Sequence, residues 1–390
     1  MEAGSVFYTI FLIFAGAAIF STLVLYTRQS LLVAYILLGA ALGPWGLKLV
    51  SDLSVVQQVG DIGIVFLLFL LGLHLQPQNL VHMLKKITWI AVISSLVFAG
   101  ISYLIGRWFG LSVVESLILG AAMMFSSTII GLKLLPTTIL HHQHTGEVMI
   151  SVLLMQDVIA IIILILINGG QQTASFSWHD LVLVGIALPL LTLFAFAVER
   201  YILVKLLARF DRTQEYVFLL SIGWCLGMSV LAERVGLSLD IGAFVAGVAL
   251  ASSPISLYLA ESLKPLRDFF LVMFFFSIGA TFNFGFVAQV VIPALILSIL
   301  MLVLKPLLFK YLLLKAGEKK TVAKEVGLRL GQASEFSLLV ASIAASSKLI
   351  SEVASNLIQA TTILTFIVSS YLVVLKYPTP IALSDKMRKD

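Results

Sequence analysis

The sequence predicts an all-α membrane protein of about thirteen transmembrane helices, built as two inverted six-helix repeats. Three observations predict it. Of 390 residues, 60% are hydrophobic and only 12% charged, against roughly 25% charge in water-soluble chains. The excess runs the length of the chain, with a mean hydropathy of +1.08, which points to a polytopic membrane protein. And a displacement of 207 residues brings matching positions of the two halves together.

A membrane-crossing helix needs about 20 mostly apolar residues. Windows of that size fall at 6–27, 31–47, 56–76, 87–108, 114–135, 147–168, 180–205, 214–234, 237–252, 266–283, 287–309, 323–346 and 353–376. The second and ninth are short. The second runs into "LGPWG", whose Gly-Pro stops a helix. The opening "MEAGSVFYTI" has no basic n-region, so the first span is expected to be retained rather than cleaved as a signal peptide.

Lys and Arg gather in the loops after odd-numbered spans: Arg28, Lys85, Lys86, Arg209, Arg212, Lys264, Arg267, Lys310, Lys315, Lys319 and Lys320. Loops after even-numbered spans carry little beyond Lys48, Arg107, Arg234 and Lys348. By the positive-inside rule the odd side is cytoplasmic. The N-terminus is expected outside and the C-terminus inside, in a cell (inner) membrane. The net charge of +5 belongs to this distribution and does not indicate nucleic-acid binding. Cys225 is the only cysteine, which excludes an internal disulfide and a Cys-based metal cage. It reads as packing.

Under the 207-residue displacement Asp61 falls on Asp268, Phe69 on Phe276, Gly72 on Gly279 and Ser127 on Ser334. One offset thus holds in two separate spans. The expected organisation is a first repeat over 1–168, a connecting helix within 169–213, a second repeat over 214–376 and a short basic tail over 377–390. The first repeat starts outside and the second inside. Inverted repeats mark secondary transporters, with the substrate site near the midplane.

The polar residues within the spans locate that site. Gln156 and Asp157 interrupt "LLMQDVIAIIILILI" near the middle of the sixth span. An acid at the bilayer centre costs roughly 2.5–3.5 kcal/mol on insertion scales, so a proton, a cation or a partner must offset it. Burial raises a carboxylate's pKa and a nearby cation lowers it. Such an acid binds a proton or a metal cation in competition, which is the minimal chemistry of an antiporter. A structural, hydrogen-bonded carboxylate is the alternative. Gln156 offers a neutral carbonyl oxygen, and one charge beside an amide suits a hard monovalent ion.

"FSSTIIG" in the fifth span and "GQASEFSL" in the twelfth put small and hydroxyl residues where Leu and Ile would be expected. They are candidates for broken helices that line a cavity. Ser126, Ser127 and Thr128 could then supply oxygens to an ion, or else allow close packing. Ser334 lies at the second break. Glu335, a second mid-membrane acid, reads as a cap on exposed helix ends or a partner of Arg329. Lys305, followed by Pro306, could pair with Asp157 or snorkel to the cytoplasmic end. His141, His142 and His144 read as a solvated loop. Asp61 and Asp268 read as acids in the first turns of their helices, and Asp240 as favouring a helix start.

Together "LLMQDVIAI", "SSTIIGLKLL", "GQASEFSLL", "LDIGAFVAGVAL" and "LRDFFLVMFFFSIGATF" resemble the monovalent cation:proton antiporter-2 family, and the Gln-Asp pair resembles its Kef-type potassium:proton branch. The resemblance covers nearly the whole chain. It implies thirteen helices, with the fifth and twelfth unwound and crossing beside Asp157. It also implies a moving core of helices 4–6 and 11–13 on a dimerising scaffold of helices 1–3 and 8–10. By the same resemblance Asp157 carries the ion or the proton, Gln156 is its neighbour and Lys305 is the core lysine. Relatives that move net charge tend to carry two adjacent acids here; one acid favours one-for-one potassium:proton exchange by a homodimer. Kef-type systems often carry a soluble nucleotide-binding domain after the last helix. This sequence stops at Asp390 without a Gly-rich dinucleotide fingerprint, so glutathione or nucleotide gating is not carried over.

The competing functions are a sodium:proton antiporter of the same fold, a channel-like potassium pathway and an intramembrane aspartyl protease. No "TVGYG" filter is present. A protease needs two cooperating aspartates, and Asp61 in "VGDIG" lies near a span end, away from the depth of Asp157. Nothing resembles a nucleotide-hydrolysing motif. The expectation is a transporter and not an enzyme, driven by an ion gradient. It needs no cofactor and no metal beyond the transported monovalent cation.

Overall fold

The computed structural model describes residues 6–27, 29–50, 53–74, 77–133, 144–169, 178–210, 213–237, 239–253 and 255–379. Its regular structure is helical. Six helices among the described residues are long and apolar enough to span a bilayer: Val6–Tyr26, Ile87–Trp108, Ile186–Phe210, Gln214–Arg234, Phe284–Lys315 and Glu352–Lys376. The chain folds into two compact units, both discontinuous in sequence. The first comprises residues 1–52, 83–163 and 278–390, and the second residues 53–82 and 164–277.

In the first unit, α1 (Val6–Tyr26) packs on α2 (Leu31–Leu42). Phe7, Phe11, Ile19 and Leu23 of α1 stay exposed, as expected of a face turned to lipid. Ser30 caps α2, and the chain leaves it at Gly43, where "LGPWG" predicts a stop. The helix α4 (Pro77–Trp108) is followed by α5 (Val113–Met123), α6 (Thr128–Lys133) and α7 (His144–Gly169). Residues 124–127 between α5 and α6 are not helical. A single predicted span, 114–135, is therefore two helices with an open break.

The same happens in the other half. The long α14 (Val287–Lys315) is followed by α15 (Lys320–Arg329) and α16 (Glu335–Ser346), and the unit closes with α17 (Glu352–Lys376). The break falls between α15 and α16, inside predicted span 323–346. Helices α15 and α17 both pack against α14. Gly327 lets α15 approach α14 closely: a Cβ there would stand 2.7 Å from the Pro306 carbonyl oxygen. Phe98 of α4 meets Phe309 of α14 edge to face at 5.5 Å.

In the second unit, α3 (Ser54–His74) lies along α11 (Leu239–Ala251). The contact is backbone to backbone, since a Cβ at Gly247 would fall 2.1 Å from the Phe69 carbonyl oxygen. Around them stand α8 (Trp178–Val198), α9 (Val204–Phe210), α10 (Gln214–Arg234), α12 (Ser256–Ser262) and most of α13 (Lys264–Thr281). Phe66, Phe69, Met228 and Ile241 form its core with Cys225, which is buried packing as read.

Two acids differ from expectation. Helix α3 starts at Ser54, so Asp61 lies two turns in and cannot cap its first turn. Asp268 pairs with its neighbour Arg267 at 2.8 Å.

Candidate functional site

The two breaks meet inside the first unit. Breaking a helix frees carbonyls at the end of one half and N–H groups at the start of the next. In an apolar setting each must find a partner. Here side chains supply them.

At the first break, the Gln156 amide of α7 is fully buried. Its Oε1 accepts the Ser126 N–H at 3.0 Å, and its Nε2 donates to the Met124 carbonyl at 3.3 Å. Ser126 Oγ donates to the Leu330 carbonyl of the second break at 2.8 Å. Ser127 Oγ accepts the Ile130 N–H at 3.0 Å and so caps α6, whose first residue is Thr128.

At the second break, Ser334 caps α16 by accepting the Phe336 N–H at 3.2 Å. Glu335 is the first residue of α16 and is buried; Ser334 Oγ donates to its Oε2 at 3.4 Å. Glu335 thus stands in the first turn of α16, the end of a helix that favours an acid. Arg329, the alternative partner, makes its ion pair with Glu325 at 2.9 Å. Its guanidinium also donates to the Pro378 carbonyl at 3.0 Å and stands over the Tyr377 ring.

Lys305 joins the breaks. Its Nζ donates to the Phe125 carbonyl of the first and to the Gln332 carbonyl of the second, the latter at 3.1 Å. The Phe98 ring lies 5.3 Å away. Lys305 is 0% exposed, which overturns the snorkelling alternative. Its stem points into the helix crossing, where the carbonyl ends of two broken helices attract a cation. Ser337 Oγ adds a bond to the Ala122 carbonyl.

The structure thus brings together Gln156, Ser126, Ser127, Ser334, Glu335 and Lys305. Asp157 follows Gln156 in α7, and its side chain lies outside the described residues. His141 and His142 also lie outside them. His144 is not in a loop: it opens α7, with Nε2 2.7 Å from Glu318 Oε2. Of Asp240 only the backbone position is described, the second residue of α11.

Sequence reasoning missed Gln332, Ser369, Thr365 and Ser337. Gln332 donates to the Ser127 carbonyl at 3.4 Å and accepts from Ser369 Oγ at 3.0 Å. Thr365 Oγ1 accepts the Ala333 N–H at 3.0 Å. Ser337 makes the bond noted above. For Thr365 and Ser369 the available signal was the hydroxyl series Thr361, Thr362, Thr365, Ser369 and Ser370 along α17, all buried.

A family described as "Sodium/hydrogen exchanger, transmembrane" matches residues 9–375. The chain belongs to this family of cation:proton antiporters. The exchanger is 29% identical over 345 residues to the iron transporter MagA of Paramagnetospirillum magneticum, covering 88% of this chain and 79% of that protein. It is 29% identical to K(+) efflux antiporter 5 of Arabidopsis thaliana, over 92% of this chain and 63% of the plant protein. It is 30% identical to the glutathione-regulated potassium-efflux system protein KefC of Salmonella newport, over 78% of this chain and 50% of KefC. The exchanger therefore spans about half the length of KefC. Among solved structures, the sodium proton antiporter MjNhaP1 of Methanocaldococcus jannaschii shares its fold, with a TM-score of 0.70 at 17% identity over 93% of this chain and 94% of that one.

Proposed function

We propose that the exchanger swaps one potassium ion for one proton by alternating access, with Asp157 carrying either in turn. The observation that carries this is the hold of Gln156 on the first break. Asp157 is its immediate neighbour in α7, which supports a carrier acid close to the free backbone groups. Lys305 supplies a buried positive charge there. Exchanging one cation for one proton at a single acid moves no net charge.

Several further parts belong to the same reading. The chain crosses a cell (inner) membrane thirteen times as a homodimer, N-terminus outside and C-terminus inside. Residues 1–168 and 214–376 are inverted repeats, joined through the segment 169–213 and followed by the tail 377–390. The 207-residue displacement supports this, because it pairs Phe125 with Gln332, whose carbonyls both bind Lys305. Ser126, Ser127 and Thr128 flank the ion path, and Ser334 and Glu335 support the second break. Potassium is favoured by the single acid and by the names of the plant and KefC relatives.

Sodium is the second reading, favoured by the description of the family and by MjNhaP1. One experiment separates them. Purified protein in liposomes with an internal pH dye receives K⁺, Na⁺, Rb⁺ or Li⁺, with and without a clamped potential. K⁺-driven proton movement indifferent to voltage supports the proposal. A response to Na⁺ or Li⁺ alone replaces the substrate. Uptake coupled to iron instead, the cargo named for MagA, or no proton movement with any ion, rejects the reading.

A further inference from the structure

We infer that Thr365 is a positioning residue of the ion site, doing for the second break what Gln156 does for the first. The inference deepens the antiporter reading above and rests on it for its functional consequence.

The peptide group between Gln332 and Ala333 is held at both ends. Its carbonyl accepts from Lys305 Nζ at 3.1 Å, and its N–H donates to Thr365 Oγ1 at 3.0 Å. The Thr365 hydroxyl gives its own proton to the Thr362 carbonyl at 2.8 Å. Its direction is therefore fixed, with a lone pair left for Ala333. One turn on, Ser369 holds the Gln332 side chain. Gln332, Ala333 and Thr365 are all fully buried, so no water substitutes for a lost partner.

The first break repeats the pattern. The peptide group between Phe125 and Ser126 puts its carbonyl on Lys305 and its N–H on Gln156 Oε1. The 207-residue displacement pairs Phe125 with Gln332 and Ser126 with Ala333. It carries Gln156 onto Ile363, however, not onto Thr365. The second half meets the same need with a different residue type, two positions further along its last helix. A long amide reaches the first break and a short hydroxyl the second. Without Thr365 Oγ1 the Ala333 N–H is orphaned in an apolar setting. The peptide then tips toward another acceptor and takes the Gln332 carbonyl off Lys305.

The test compares Thr365→Val, which keeps the shape and removes the acceptor, with Thr365→Ser, which keeps the hydroxyl. Thr365→Cys, a weak acceptor of similar size, replaces the Val variant should that fail to express. Hydrogen–deuterium exchange is read over residues 331–334 in the whole protein, and cation-driven proton movement in liposomes. Thr365→Val is expected to speed amide exchange there about tenfold, the effect of one lost buried hydrogen bond. It is expected to raise the half-saturating cation concentration about fivefold, while Thr365→Ser stays within about twofold of wild type on both counts. Wild-type behaviour of Thr365→Val overturns the inference, as does equal damage in Thr365→Ser. Should the wild type move no protons, the antiporter reading fails by itself, and the amide exchange still decides whether Thr365 holds the break.

Discussion

Gln156 and Lys305 grip opposite ends of a single peptide group, the one that joins Phe125 to Ser126. The amide oxygen takes the N–H and the ammonium takes the carbonyl. Both are better seen as fixing a stretch of chain that has given up its helical bonds.

Asp157→Asn removes the charge that a proton or cation neutralises, at almost constant volume. Exchange in liposomes is expected to vanish. The variant keeps its elution volume in size-exclusion chromatography, since an amide in an apolar helix is cheaper to bury than a carboxylate. Retained exchange would reject Asp157 as the carrier.

Gln156→Glu keeps the acceptor for Ser126 and loses the donor to Met124. Two oxygens then face each other, a loss of about 1–3 kcal/mol that thermal unfolding in detergent reads. The added charge is not balanced by Lys305. Transport is expected to become voltage-dependent, since a moved charge is worth roughly 2.3 kcal/mol per 100 mV. An unchanged voltage response would remove Gln156 from the charge balance of the cycle.

Lys305→Met takes a charged donor from two carbonyls at once. Hydrogen bonds to charged groups contribute about 1.5–3 kcal/mol each, so exchange is expected to fall at least about tenfold. The assay is the same pH-dye measurement, at matched protein density. Activity within a factor of about two of wild type would mean the breaks hold their geometry without the lysine.

Gly327→Ala tests the seat of α15 on α14. The added methyl would meet the Pro306 carbonyl oxygen at 2.7 Å, a backbone atom that cannot rotate away. A loss of about 1–3 kcal/mol is expected in thermal unfolding. Gly100→Ala is the control: nothing lies within 4 Å of its added carbon, and helix propensity predicts a gain of up to about 1 kcal/mol. Equal behaviour of the two would contradict the close approach.

The helical, membrane-crossing character was legible because lipid leaves the backbone few choices: apolar runs must become helices. "FSSTIIG" and "GQASEFSL" were legible as breaks because hydroxyl and small residues have little other reason to interrupt Leu and Ile. What Lys305 binds was not. Its partners are backbone carbonyls, which carry no signature in the sequence, and the sequence suggested only Asp157 or the membrane surface. Thr365 was hidden for a related reason. A threonine in an apolar helix reads as neutral packing until the helix is placed beside Ala333, 32 positions earlier in the chain. Asp61 was misplaced because α3 already begins at Ser54, ahead of the apolar run from which the span was drawn.

Arg329 ends α15 and reaches the Pro378 carbonyl just past the last helix. Leu330 follows it, and the Leu330 carbonyl holds Ser126. The exit of the chain from α17 and the break that holds Ser126 are thus joined by one planar side chain, apart from the path along the helix.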